Sequence, residues 1–221
     1  MQFSEWEPIY YQILSDMSYD RIDDEASARL LSVLMLNANL VSDKEIESII
    51  KGEVTVFGDA DSLKASLVSF KPSGTLIAAG SATSTVIDAG IIPDIVVTDL
   101  DGDVEAQKKA SQKGALTLIH AHGDNFELIM IHAKDFKGKV MLTTQSTPDL
   151  VIRNFGGFTD GDRAVCLARH FGAKRIKLVG FDYDNPSFKD TSNRDVKKKK
   201  LIWAKRIIED LNVPGVEIIK I

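Results

Sequence analysis

Asp99 and Asp101 stand two residues apart, directly after the β-branched run 95–98 and before Gly102. In an extended chain, residues i and i+2 face the same way. Both carboxylates then point to one side and Leu100 to the other, with Cα atoms roughly 6–7 Å apart. Carboxylates held that close repel unless a cation lies between them, and Mg2+ takes hard oxygen ligands at about 2.1 Å. Gly102 permits a tight turn into the next element. The competing use of the same residues is purely local: Asp99 in a turn, with Asp101 or Asp103 capping the helix that follows.

A second cluster, His120-Ala121-His122-Gly123-Asp124-Asn125, follows the run 116–119. His120 and His122 share a face by the same alternation. A zinc site is disfavoured, because no cysteine or third histidine accompanies them locally, and His132 and His170 fall in helical stretches. Asp124 reads as the N-cap of the helix holding Phe126 and Leu128, and as facing the same cleft.

A third segment, Asn154-Phe155-Gly156-Gly157-Phe158-Thr159-Asp160-Gly161-Asp162-Arg163, places three glycines in six residues before a helix. Such a turn lets backbone N–H groups approach a phosphate, helped by the helix dipole. Arg163 adds a bidentate anion ligand where helix stability alone would favour an acid. The segment is neither a Walker A loop nor a GxGxxG fingerprint, and the alternative is an ordinary loop capped by Thr159 or Asp160. Asn154 and Asp162 orient these loops or hydrogen-bond a substrate. Phe155 and Phe158 either stack on a flat heterocycle or pack in the core. Gly180-Phe181-Asp182 sets another carboxylate after the run 176–179. The polar stretch 183–195 reads as a lid, and Lys197 to Lys200 open a helix from which one or two lysines reach a polyphosphate.

The elements that would position these groups divide at Gly52. Before it, Trp6, Ile9, Tyr10, Ile13 and Met17 recur at helical spacing over 3–17. A second helix starts near Asp23, and Ser42 with Glu45 forms the capping box of a third. After it, β-branched runs at 54–57, 76–79, 95–98, 116–119, 140–143, 176–179 and 216–219 alternate with helical stretches at 62–69, 82–89, 104–113, 126–133 and 161–171. This is the pattern of an α/β domain over 53–221: a mostly parallel, Rossmann-like sheet flanked by helices, with residues 1–52 as an N-terminal helical segment. Ligands of such sheets bind beyond the C-terminal ends of the strands, where the three clusters fall. The striped faces of residues 1–52 need a partner surface, either the α/β body or a second copy in a homo-oligomer.

Composition narrows the class. With 44% hydrophobic and 27% charged residues among 221, disorder and fibrous folds are excluded. The net charge of −5 argues against sequence-independent nucleic-acid binding. It splits into −6 over 1–52, −5 over 53–150 and +6 over 151–221, so the middle offers acids for cations and the end offers bases for anions. No apolar run approaches the roughly 18 residues that span a bilayer. Glu5 and Glu7 replace the basic start of a signal peptide, and the single cysteine, Cys166, suits a reducing compartment. A soluble cytoplasmic protein is expected.

The order Ile92-Pro93-Asp94-Ile95-Val96-Val97-Thr98-Asp99-Leu100-Asp101-Gly102, then the histidine cluster, then the glycine-rich segment through Ala164, resembles the archaeal 6-hydroxymethyl-7,8-dihydropterin pyrophosphokinase family. That family is similar in its core to thiamine pyrophosphokinase. The resemblance covers roughly residues 53–211. It implies Mg2+-dependent transfer of pyrophosphate from ATP to the pterin hydroxymethyl group, releasing AMP, with small-molecule substrates only. On this reading Asp99 and Asp101 hold Mg2+, Asp124 or Asp182 completes its shell, and Gly156, Gly157 and Arg163 stabilise the transferred phosphates. Gly58, His120, His122, Asn125, Asn154, Thr159, Asp160, Asp162 and Lys197 contact ATP or the acceptor. The sequence departs from the family at Gly58-Asp59-Ala60-Asp61-Ser62-Leu63, in place of a Gly-x-Gly-Pro-Ser-Leu turn. It departs again at Ala79-Gly80-Ser81-Ala82, which lacks the carboxylate of an Ala-Asp-Gly-Ala turn. These departures leave open two alternatives: a thiamine-type acceptor, or a non-catalytic module binding Mg-nucleotide.

Overall fold

The computed structural model describes residues 1–184 and 193–221. Among them, eight strands form one all-parallel sheet: β1 (Glu53–Phe57), β2 (Thr75–Ala79), β3 (Ile95–Thr98), β4 (Leu116–Ala121), β5 (Val140–Thr144), β6 (Ile152–Arg153), β7 (Arg175–Val179) and β8 (Glu217–Lys220). Their order across the sheet is β6-β5-β4-β3-β2-β1-β7-β8. The register is continuous from Val54 opposite Thr75 on one side of β1 to Val54 opposite Ile176 on the other. Strand order reverses at β1 and β7. There the Gly58 N–H donates to the Val179 carbonyl (2.9 Å) and the Ala60 N–H to the Gly180 carbonyl (3.0 Å). A crevice opens at such a switch point.

Both faces of the central strands are buried, which is why their runs are apolar without alternation. Val54, Val56, Ile77 and Val97 pack on one face against α3 (Asp43–Ile49) and α8 (Asp160–His170). Phe57 and Val179 meet α4 (Leu63–Ser69) and α5 (Ala82–Asp88) on the other. The helices α6 (Val104–Gln112) and α7 (Phe126–His132) complete the crossovers to β4 and β5. Helix α9 (Arg194–Lys205) continues into a π-helical turn, Arg206–Asp210, before β8.

Residues 1–52 have no separate core. In α1 (Phe3–Met17), Trp6, Tyr10 and Ile13 pack with Phe158, Cys166, Trp203 and Ile207. In α2 (Arg21–Leu34), Ala28 and Leu31 pack with Ile119, Ile129 and Leu142. Leu40 bridges in parallel to Val140. Fully burying a side chain such as Ile13 or Leu31 contributes about 1.5–3 kcal/mol, so these helices are fastened to the body.

Boundaries differ from expectation where a cap lies further out. Asp20 caps α2 by accepting from the Ile22 N–H (2.9 Å), three residues before Asp23. Asn193 caps α9, which therefore begins before Lys197. The short β6 was not expected, since two residues carry no periodicity. The lid read over 183–195 falls largely outside the described residues. Among the described residues, no helix is long and apolar enough to cross a membrane.

Candidate active site

The C-terminal ends of β1 to β5 and β7, the start of α8, one face of α9 and the α1–α2 turn enclose a cavity of about 410 Å3. Of the residues singled out by sequence, Gly58, Asp99, Asp101, His122, Thr159, Asp160, Arg163, Asp182 and Lys197 line it. The acidic loop after β3 and the first turn of α8, far apart in the chain, thus face one space.

The acidic loop does not continue the strand. Leu100 adopts a left-handed conformation (φ 68°) and is fully buried, so a turn rather than strand alternation brings Asp99 and Asp101 to the cavity. Thr98 Oγ1 accepts from the Leu100 N–H (2.8 Å) and donates to Gln107 Oε1 (2.8 Å), while Gln107 Nε2 donates to the Asp101 carbonyl (2.9 Å). A leucine in this region is strained, and these bonds hold it there.

His122 holds Asp99. Its Nδ1 accepts from the Asp124 N–H (3.2 Å), which leaves Nε2 as the donor to Asp99 Oδ2 (3.2 Å). Asn125 Nδ2 donates to the carbonyls of Asp99 (2.8 Å) and His120 (2.7 Å). Burial alone would raise the Asp99 carboxyl, but the hydrogen bond from His122, with the charge of Arg163 beside it, holds it below the usual range. Asp99 Oδ1 is buried with no hydrogen-bond partner.

Arg163, almost wholly buried, is committed to the protein. Nη1 donates to Asp160 Oδ1 (3.0 Å) and lies 3.9 Å from Asp99 Oδ2. Nη2 donates to the Phe158 carbonyl (2.6 Å) and to Gln145 Oε1 (3.3 Å). Asp160 is pushed the other way from Asp99: burial, with the charges of Asp99 and Asp101, raises its carboxyl well above the ordinary range despite Arg163. Gly80 (φ 48°) makes room for it, because a Cβ there would lie 2.5 Å from Asp160 Oδ2. The turn after β2 lacks its own carboxylate, and one from α8 stands beside it.

Several expected placements do not hold. Gly156 and Gly157 are not among the cavity-lining residues. Their positive φ angles (83° and 99°) turn the chain so that Phe158 to Gly161 face the space instead. A Cβ on Gly157 would lie 2.6 Å from Arg163 Cα, so this glycine permits close packing under α8. Asn154 orients that loop, donating to the Ser146 carbonyl (2.7 Å) and accepting from the Gly156 N–H (2.8 Å). Asp162 accepts from the N–H groups of Phe158 (3.0 Å) and Thr159 (2.5 Å) in a capping box, and burial pushes it up to about 6. His120 is buried in β4 against Thr143 Oγ1 (3.0 Å), its imidazole driven well below its ordinary value by burial. Asp124 caps no helix. It lies at a smaller hollow with Asp20, Asp23 and Asp24 and pairs with Lys200 at 3.7 Å. Asn125, at the N-cap position of α7, makes no side-chain cap bond.

The residues that sequence reasoning missed are Tyr19, Gln145 and Phe181, all on the cavity wall. Gln145 directly follows β5, so the strand-end rule applied there would have found it. Tyr19 carries no such signal.

For a divalent cation the donor set is small. Among the described residues no three His, Cys, Asp or Glu side chains form a metal-binding group, so neither Asp124 nor Asp182 joins Asp99 and Asp101 in one. Asp99, with its ionised, unpartnered Oδ1, and Asp101 remain. That suits Mg2+, which keeps several waters and binds through one or two carboxylates plus substrate phosphates.

Comparisons with known proteins show which sequences and folds the chain is similar to. A family profile described as "6-hydroxymethylpterin diphosphokinase MptE-like" matches residues 32–187. The 6-hydroxymethyl-7,8-dihydropterin pyrophosphokinase of Pyrococcus furiosus is 42% identical, the match covering 97% of this chain and 96% of that one. The protein of the same name from Methanocaldococcus jannaschii is 37% identical over 96% of each chain. Among solved structures, the MAf glycosyltransferase of Magnetospirillum magneticum superposes with a TM-score of 0.50 at 15% identity, over 77% of this chain and 33% of that one. That likeness is one of fold alone.

Proposed function

Because the chain belongs to the MptE-like 6-hydroxymethylpterin diphosphokinase family, and is on that ground a diphosphotransferase, we propose that its substrates are ATP and 6-hydroxymethyl-7,8-dihydropterin. The acceptor's hydroxymethyl oxygen attacks the β-phosphorus, the bond from that phosphorus to the bridging α,β-oxygen breaks, and AMP leaves with the electron pair. The hydroxyl proton passes to solvent water in the same transfer. The product is the pterin methyl diphosphate.

Such transfers need little covalent chemistry from the protein; positioning and charge compensation supply most of the rate. When bound, Mg2+ would neutralise charge on the phosphate oxygens, and Asp99 and Asp101 are the residues that would hold it. His122 and Asn125 fix the Asp99 loop. Arg163 joins that loop to Asp160, and Lys197 and Lys200 bring positive charge to the same space. Backbone at Gly161, in the first turn of α8, can meet phosphate oxygens at the helix N-terminus.

The observation that carries this reading is that the acidic loop and the α8 turn share one cavity, whose wall includes Asp99 with a buried carboxylate oxygen that has no hydrogen-bond partner. The test is AMP release from ATP in the presence of Mg2+ and the pterin alcohol. Asp99→Asn and Asp101→Asn should each lower the rate by about 100-fold or more if charge stabilisation dominates. Near-normal rates in both variants would refute the assignment.

A further inference from the structure

We propose that Tyr19 is a specificity-determining residue, forming with Phe158 the seat for the flat heteroaromatic ring of the acceptor alcohol. The inference rests on the function proposed above, and gives the N-terminal helices a place in the reaction.

Tyr19 reaches the cavity because Ser18 ends α1 in a left-handed conformation (φ 57°) and turns the chain before α2. Its ring and that of Phe158 lie 6.4 Å apart and tilted by 53°, in contact without stacking. Lys200 Nζ lies 5.9 Å from the Tyr19 ring and 5.8 Å from that of Phe158, and its 3.7 Å pairing with Asp124 holds it there. One end of the cavity is therefore walled by aromatic faces and a tethered cation, surroundings that favour a planar π-system.

The other end is walled by backbone. Gly58, Gly80, Gly161 and Gly180 line the space there, packed closely against Asp160, Phe181 and one another. The first turn of α8, with Gly161 on the wall, lies at this end, and a helix N-terminus suits the oxygens of a polyphosphate. Phe181, also on this side, packs its ring against Gly58 and Gly161, and Tyr183 has a buried hydroxyl with Lys220 over its ring at 4.9 Å. Asp99, in the turn just past the end of β3 and so between the β2 turn and His122 after β4, lies between the two ends. The triphosphate belongs to the glycine end and the acceptor ring to the Tyr19 end.

The test uses the full chain and its Tyr19→Ala and Tyr19→Phe variants, with thermal unfolding to verify folding. Stacking of a base on an aromatic ring is worth on the order of tenfold or more in affinity. Tyr19→Ala should therefore raise the KM of the acceptor by about tenfold while that of ATP stays within about twofold, and Tyr19→Phe should restore the wild-type value. Equilibrium binding of the pterin alcohol without ATP, read by its own fluorescence, should weaken in parallel. A rise in the KM of ATP instead would assign the ring to adenine and overturn the proposal, as would equal pterin binding by wild type and Tyr19→Ala. If wild type binds the pterin in a Tyr19-dependent way but releases no AMP, the proposed activity fails while the ring seat stands.

Discussion

Gly80→Ala isolates the contact between the β2 turn and Asp160. Two penalties follow from the structure. Gly80 has a φ of 48°, and an alanine in the left-handed region costs about 1 kcal/mol. The new Cβ would also lie 2.5 Å from Asp160 Oδ2, where ordinary contact begins near 3.4 Å. The carboxylate must then retreat by about 0.9 Å, and a displacement of that order at a site costs roughly 100-fold in rate. Asp160 cannot retreat freely, because its other oxygen is bound to Arg163 at 3.0 Å. Gly90→Ala is the control: its φ is 80° but no atom lies within 4 Å of the added Cβ. Both variants should lose about 1 kcal/mol in urea unfolding from the backbone penalty. Only Gly80→Ala should also lose about 100-fold in kcat/KM for AMP release, measured with the pterin alcohol in excess. A Gly80→Ala enzyme as active as Gly90→Ala would show that the position of Asp160 against the β2 turn does not matter to the reaction.

Two further predictions concern buried carboxylates. Asp162 is fully buried and its carboxyl is pushed from an ordinary 3.8 up to about 6, so the folded state holds this proton more tightly than the unfolded chain. The stability it contributes is present below pH 3.8 and lost as pH rises through 6, a difference of roughly 3 kcal/mol. Relative to Asp162→Asn, the wild type should lose about that much unfolding free energy between pH 4 and pH 7, and parallel pH profiles would contradict it. Asp24 accepts from Tyr10 Oη (2.6 Å) and Gln145 Nε2 (2.8 Å) on one oxygen and from the Gly123 N–H (2.6 Å) on the other. In Asp24→Asn, whichever way the amide sits, a donor meets a donor, costing about 1–3 kcal/mol in denaturant unfolding. An unchanged midpoint would mean these three donors have other partners.

Much of the architecture is legible in the order of residues. Short β-branched runs separated by amphipathic stretches mark β1 to β5, β7 and β8 to within a residue or two, and the central ones are apolar throughout because strands buried on both faces tolerate little else. What escapes is conformation fixed by distant partners. Asp99-Leu100-Asp101 reads as extended, yet Leu100 is turned by Thr98 and by Gln107, which belongs to the following helix. Gly156-Gly157 reads as a phosphate cradle, yet Gly157 is required by the approach of Arg163 from the next turn. Tyr19 enters the cavity through the angle between two helices, and no local spacing encodes that angle.

The commitment of Arg163 redistributes the roles within the site. A guanidinium has five donors in a fixed fork, and here both terminal nitrogens are engaged by Asp160, Gln145 and Phe158. Such an arginine supplies field more than a free hydrogen-bonding fork. Its charge lies between two carboxyls and helps to hold Asp99 ionised, while burial and the charges of Asp99 and Asp101 push Asp160 upward. Environments that separate the titration of paired acids suit them to different roles; on the function proposed above, Asp99 is the cation ligand and Asp160 the carboxyl that carries a proton. On the function proposed above, the charge that meets phosphate directly then falls to Lys197 of α9, while Lys200 stays with the aromatic rings. That helix is anchored to α1 by Trp203 Nε1 donating to Asp16 Oδ2 (2.9 Å). The N-terminal segment therefore positions both the aromatic wall and the cationic one, and removing it would disarm the site even with the acidic loop intact.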